Sequence, residues 1–80
     1  MIEKPYYIRT EWDPEAGVWV ATSDDVPGLV TEAETMELLI SKLRVLIPEL
    51  LELNEGGIDS SVHSFEVLSR RFESFQPAGA

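Results

Sequence analysis

The sequence predicts an α+β domain of order β-β-β-α-β, a small and mainly antiparallel sheet covered on one face by one long kinked helix. Three patterns predict it. Apolar and polar residues alternate over Tyr6–Trp12, and the short apolar run Val18–Thr22 follows a turn-forming loop. Leucines recur at steps of four and three from Leu39 to Leu53. Alternation returns over Val62–Ser69.

In the first strand Tyr6, Ile8, Thr10 and Trp12 share one face, and Tyr7, Arg9 and Glu11 share the other, because successive strand side chains point to opposite sides. Aromatic and β-branched residues dominate it, as a half-buried pleated surface favours. Asp13-Pro14-Glu15-Ala16-Gly17 is hairpin-loop chemistry, with Pro14 fixing φ and Gly17 free to take a positive one. The return strand, VWVAT, is apolar enough for both faces to be partly covered. Val26-Pro27-Gly28 then puts Pro27 and Gly28 where a type II turn wants them, and Leu29–Glu32 follows as a third, short strand.

Thr35 fits a helix N-cap, since its hydroxyl can accept from a free backbone N–H of the first turn. Glu37 sits in that turn, where the helix dipole favours a negative charge. The helix is expected to run to about Asn54 and to end at Gly56-Gly57. Leu39, Leu43, Leu46, Leu50 and Leu53 form the inward stripe, widened by Met36, Ile40, Ile47 and Leu51. Ser41, Arg44, Glu52 and Glu55 fall on the opposite side. Leu38 and Val45 lie off the stripe and make a second, smaller contact surface, expected to meet another copy of the chain.

Pro48 interrupts this helix. It removes one hydrogen bond and crowds the carbonyl of Arg44, at a cost of about 3 kcal/mol in a regular helix. The apolar spacing continues past it, so a single kinked helix is expected, the alternative being a break near Ile47. In the last strand Phe65 and Val67 share a face with His63. Residues 1–69 then make the one domain, and residues 70–80, with Pro77, Gly79 and no periodicity, a frayed C-terminal tail.

A chain of 80 residues makes one domain at most and buries only about 60% of its unfolded surface, so its core is thin. With no cysteine, neither a disulfide nor a thiolate metal site can reinforce it. Self-association is the common remaining way to bury more apolar area, and a homo-oligomer, a dimer or a tetramer, is expected. The formal net charge is -9, and a surface so anionic repels phosphate backbones. Direct nucleic-acid binding is therefore not expected, whereas a basic protein partner would be attracted. The opening MIEKPYYIRTEW has no apolar signal-peptide core, and no segment reaches the ~18 apolar residues of a membrane span, so a cytoplasmic location without membrane contact is the expectation.

Taken in order, the hairpin WDPEAGVWVA, the turn D-V-P-G-L, and E-A-E-T opening a leucine-rich helix resemble the HicB-like antitoxin superfamily. The helix end Pro48–Asn54, P-E-L-L-E-L-N, resembles a short, largely uncharacterised branch of it. The resemblance covers residues 5 to 69. It implies a partly degraded ribonuclease-H-like fold, and a protein that oligomerises and neutralises a small basic toxin that cuts messenger RNA. Many HicB proteins add a C-terminal DNA-binding module. The eleven residues after Ser69 are too few for a helix-turn-helix and lack a ribbon-helix-helix pattern, so autorepression is not expected. A stand-alone homo-oligomeric domain with no toxin partner is the alternative.

The ribonuclease-H-like implication raises the question of catalysis. A two-metal nuclease would draw on Asp13, Asp24 and Asp25, because such chemistry needs carboxylates on neighbouring elements around ions ~3.5–4 Å apart. Asp in turns of this kind instead caps its own backbone. Asp24 and Asp25 with Glu32 and Glu34 also lack the alternating spacing of a calcium loop. His63, the only histidine, has Ser60, Ser61 and Ser64 nearby in sequence, but no carboxylate that the sequence places beside it. No Gly-rich phosphate loop is present, and Arg70-Arg71 is too short for a nucleic-acid patch. The expectation is a non-enzymatic protein without cofactor or metal. Its partner-binding residues are the acidic set Asp24, Asp25, Glu32, Glu34 and Glu37. Its fold-defining turn, cap and kink are Pro27, Gly28, Thr35 and Pro48.

Overall fold

Alternation over the first strand becomes the strand that holds the sheet together. A computed structural model describes residues 4–56 and 61–79. Strand β1, Tyr6–Asp13, pairs antiparallel with β2, Val18–Thr22, which pairs antiparallel with β3, Val30–Ala33. Helix α1, Met36–Glu55, follows, and β4, Phe65–Arg70, pairs parallel with the free side of β1. The sheet order is β3-β2-β1-β4. The link from β3 to β4 therefore crosses both middle strands, and the 20-residue helix, about 30 Å long, is what spans them. The β-β-β-α-β order and the single long helix are as the sequence predicts.

Registers fix which face is inward. Thr10 lies opposite Ala21, Trp12 opposite Trp19 and Trp19 opposite Ala33, so these share the helix-covered face with Ile8. Ile8, Ala21, Val26, Leu29, Ala33, Leu39, Leu43, Ile47 and Leu51 form the buried core. Thr10 is the one buried polar side chain among the described residues. Its hydroxyl donates to the carbonyl oxygen of Leu68 at 3.1 Å and lies 2.8 Å from the Ser69 hydroxyl, so it is not stranded in the core.

Local signals set the element ends. Asp13 accepts from the backbone N–H groups of Glu15 and Ala16 at 3.0 and 3.2 Å, and Gly17 takes φ 68°. Thr35 accepts from Leu38 N at 3.1 Å as the N-cap of α1. Gly56 closes the helix in the left-handed region, at φ 76°. Gly57 and Ser60, and the side chain of Glu55, lie outside the described residues.

Four expectations need correction. The third strand starts at Val30, because Leu29 still belongs to the turn: its N–H donates to Val26 O at 3.1 Å and its side chain is buried. The fourth strand starts at Phe65, not Val62. Its first partner is Tyr6, whose N–H reaches Ser64 O at 2.9 Å, and the preceding Pro5 has no N–H to extend the ladder. That strand also runs on through Arg70. Leu53 is not core: it is 81% exposed. The fully inward positions Leu39, Leu43, Ile47 and Leu51 advance in steps of four, which turns the buried stripe about 40° per step and leaves Leu53 behind on the flank.

Pro48 stands inside one continuous helix. Both Pro48 and Arg44 face solvent, so water can serve the carbonyl that loses its partner. Beyond β4 the chain has no regular structure up to Pro77. Its root is fixed: the Arg71 guanidinium stands 4.4 Å over the Trp12 ring and pairs with Glu73 at 2.8 Å.

Candidate functional site

Two regions carry the residues expected to bind a partner, and they lie at opposite ends of the sheet. Asp24 and Asp25 follow β2, beside the start of β1. Asp25 accepts from Tyr7 N at 2.8 Å, and the Ser23 hydroxyl donates to Tyr7 O while accepting from the N–H groups of Asp25 and Val26. The β1–β2 ladder ends at the Arg9–Thr22 pair, so these two side chains extend it by one more rung. Asp24 pairs with Arg9 at 3.3 Å across exposed surface.

The turn that follows is bolted to the helix. Val26 and Leu29 enter the core on either side of Pro27-Gly28. Gly28 has φ 84°, a region that costs other residues energy, and its missing Cβ would touch Leu50 Cδ2 at 3.8 Å. Asn54 Nδ2 donates to Pro27 O at 2.8 Å. The whole stretch Ser23–Thr35 thus works as the joint between sheet and helix.

The other region is a groove between edge strand β3 and the flank of α1. It is open, with a volume of about 900 Å³. Val18, Ala33, Leu38, Val45 and Leu46 give it an apolar lining. Leu38 and Val45 are 54% and 61% exposed. Glu32, Glu34 and Glu49 stand along it as carboxylates, and Lys42 crosses from the helix to donate to Glu32 O at 2.6 Å. Glu37 is exposed in the first turn of α1.

In sequence the five expected binding residues form one acidic cluster. The fold separates them: Glu34 follows β3 at the end of the sheet marked by Ala33, whereas Asp24 lies roughly 20 Å away beyond Thr22. It instead brings Glu32 and Glu34 together with Leu38 and Val45 in one groove. Lys42 and Glu49, which the sequence reading does not single out, complete it. Each sits four residues after Leu38 or Val45, so the helical period already placed them on that flank. Val18 had no such signal, because only the strand register puts it there.

Asp13 lies at the far end of β1 from Asp24 and Asp25, again roughly 20 Å away, and each of the three carboxylates has a partner in its own turn or on β1. The geometry for two closely spaced ions is not built from them. Among the described residues no group of three or more His, Cys, Asp or Glu is placed to hold a metal ion. The His63 Nε2 atom lies 3.5 Å from the Ser61 hydroxyl. No described helix is long and apolar enough to cross a membrane.

Comparison with known proteins places the chain. No curated protein matches it. A crystal structure of a hypothetical protein from the extremely thermophilic bacterium Thermus thermophilus is similar, with 44% sequence identity and a TM-score of 0.68 over 91% of this chain and 99% of that one. A family model described as a domain of unknown function, DUF1902, matches residues 5–75, which takes in the four strands, the helix and the first part of the C-terminal arm. The chain belongs to the DUF1902 family.

Proposed function

We propose that this protein is a non-enzymatic protein-binding module of HicB-antitoxin type, which uses the groove between β3 and α1 to hold a small basic protein in the cytoplasm. One observation carries the reading: an apolar lining that includes Leu38 and Val45 lies directly beside the carboxylates Glu32, Glu34 and Glu49. An exposed apolar strip rimmed by polar groups is the usual build of a protein contact, and a rim of one charge sign selects and steers an oppositely charged partner. The adjacent β3 edge adds backbone groups that an extended segment can pair with. The HicB resemblance supplies the partner class, a small basic toxin acting on messenger RNA. Asp24 and Asp25 are left out of the contact, because they lie at the other end of the sheet from the groove, where Asp25 also holds the backbone of β1.

The test is capture of bound protein at low salt, elution by a salt gradient, and titration of the purified partner against wild type and Glu32→Gln, Glu34→Gln, Glu49→Gln combined. The reading expects a stoichiometric complex that weakens with salt and binds the folded triple variant at least tenfold more weakly. Equal affinity for the two would remove the groove from the contact. A second reading, self-association without a foreign partner, is favoured by a separate observation: the arm after β4 carries two almost fully exposed phenylalanines.

A further inference from the structure

The C-terminal arm does not fold back on its own domain. Phe72 and Phe75 are 83% and 90% exposed. The described residues extend 58 Å along one axis against 28 and 19 Å along the others. Their radius of gyration is 15.8 Å, where a compact domain of this length would have about 12 Å. Yet the arm leaves from a fixed root, with Arg71 stacked on Trp12 and 6.0 Å from the centre of the Trp19 ring. Two large aromatic side chains held out in water on an anchored segment make a docking element without its dock.

We propose that the arm of one copy, led by Phe72 and Phe75, fills the β3–α1 groove of a second copy, and that the two copies exchange arms reciprocally. Position supports this. Trp12 lies opposite Trp19, and Trp19 lies opposite Ala33, which lines the groove. The root of the arm and the Ala33 end of the groove therefore stand in one row at the same end of the sheet. A two-fold axis near that row brings each arm to the other copy's groove, within the ~25 Å that eight extended residues reach. Chemistry supports it too. Phe72 and Phe75 match the apolar lining of Val18, Leu38 and Val45, and the exposed Arg70 adds a positive charge opposite Glu32, Glu34 and Glu49, while Arg71 stays on Trp12 and Glu73 at the root. Size is sufficient: four phenylalanines of ~150–250 Å² each, with a similar area of groove, reach the ~1,200 Å² at which stable interfaces begin. The inference rests on the self-associating reading, in which the arm of a second copy and not a foreign partner occupies the groove.

Sedimentation equilibrium of the pure chain gives the first arm of the test, with wild type expected as a dimer and Phe72→Ser/Phe75→Ser as a monomer with an unchanged circular dichroism spectrum. The second arm exploits the absence of cysteine. The substitution Ser41→Cys puts a thiol in the groove, and Ser74→Cys puts one between the two phenylalanines. Mixing the two single variants under mild oxidation should give a disulfide between unlike copies, and far less of it once Phe72 and Phe75 are replaced. A monomeric wild type overturns the proposal together with the self-associating reading. A dimer that survives the phenylalanine replacements, or that forms no disulfide between the two introduced thiols, overturns arm exchange alone.

Discussion

The Asn54 side-chain amide donates to the carbonyl oxygen of Pro27 over 2.8 Å, tying the last turn of α1 to the Pro-Gly turn 27 residues earlier. It clamps the joint from outside while Val26, Leu29 and Leu51 hold it from within. Asn54→Ala should cost about 1 kcal/mol, the usual net worth of one hydrogen bond. For a domain of this length that is a fall in Tm of roughly 4–8 °C in a thermal melt. An unchanged Tm would mean that the apolar contacts hold the joint alone.

The rotation of the buried stripe makes a sharp contrast between two leucines of one helix. Leu43 is fully buried and Leu53 is 81% exposed. Leu43→Ala should destabilise by ~2–5 kcal/mol, through lost transfer energy and a residual cavity. Leu53→Ala should stay within about 0.5 kcal/mol. Urea unfolding of the two variants checks this, and a comparable loss at Leu53 would place a contact on that flank.

Two neighbouring aspartates should separate in the same way. Asp25 accepts the backbone N–H of Tyr7, which has no other rung to join on that side of β1. Asp25→Ala is expected to cost ~1 kcal/mol or more. Asp24 makes only an exposed ion pair with Arg9, of the kind worth ~0–1 kcal/mol and screened by salt. Unfolding midpoints at low and high salt should show a salt-sensitive effect for Asp24→Ala alone. A partner-binding experiment that neutralises Asp25 would therefore confuse lost contact with lost stability.

At the helix start, Thr35→Ala removes the acceptor for Leu38 N and should cost about 1 kcal/mol. Thr35→Ser keeps the hydroxyl and should recover most of it. A shift of the denaturant midpoint at constant slope is the expected signature. Equal losses for both variants would implicate the Thr35 methyl group instead of the cap.

Much of this fold is written in local sequence. The Asp13 turn, the Val26–Leu29 turn, the Thr35 cap and the Gly56 stop each depend on the conformational preference or side-chain reach of residues within a few positions, so they are legible without any long-range information. The helix stripe is nearly so. Its error at Leu53 arises because steps of four and three mark a straight stripe, whereas the face that the sheet covers advances in steps of four, through Leu51, and turns away from Leu53.

Pairing across the chain is legible only in three dimensions. That β4 joins β1 in parallel follows from a helix long enough to carry the chain over two strands, and no local pattern names the strand it reaches. The same holds for the candidate site. Its acidic character and the off-stripe pair Leu38 and Val45 are already present in the order of the residues. The strand registers are what sent Asp24 and Asp25 to one end, and set Glu32, Glu34 and Val18 beside Leu38 and Val45 at the other. Charge and hydrophobicity are properties of single residues, but a groove is a relation between residues far apart in sequence, and folding is what creates it.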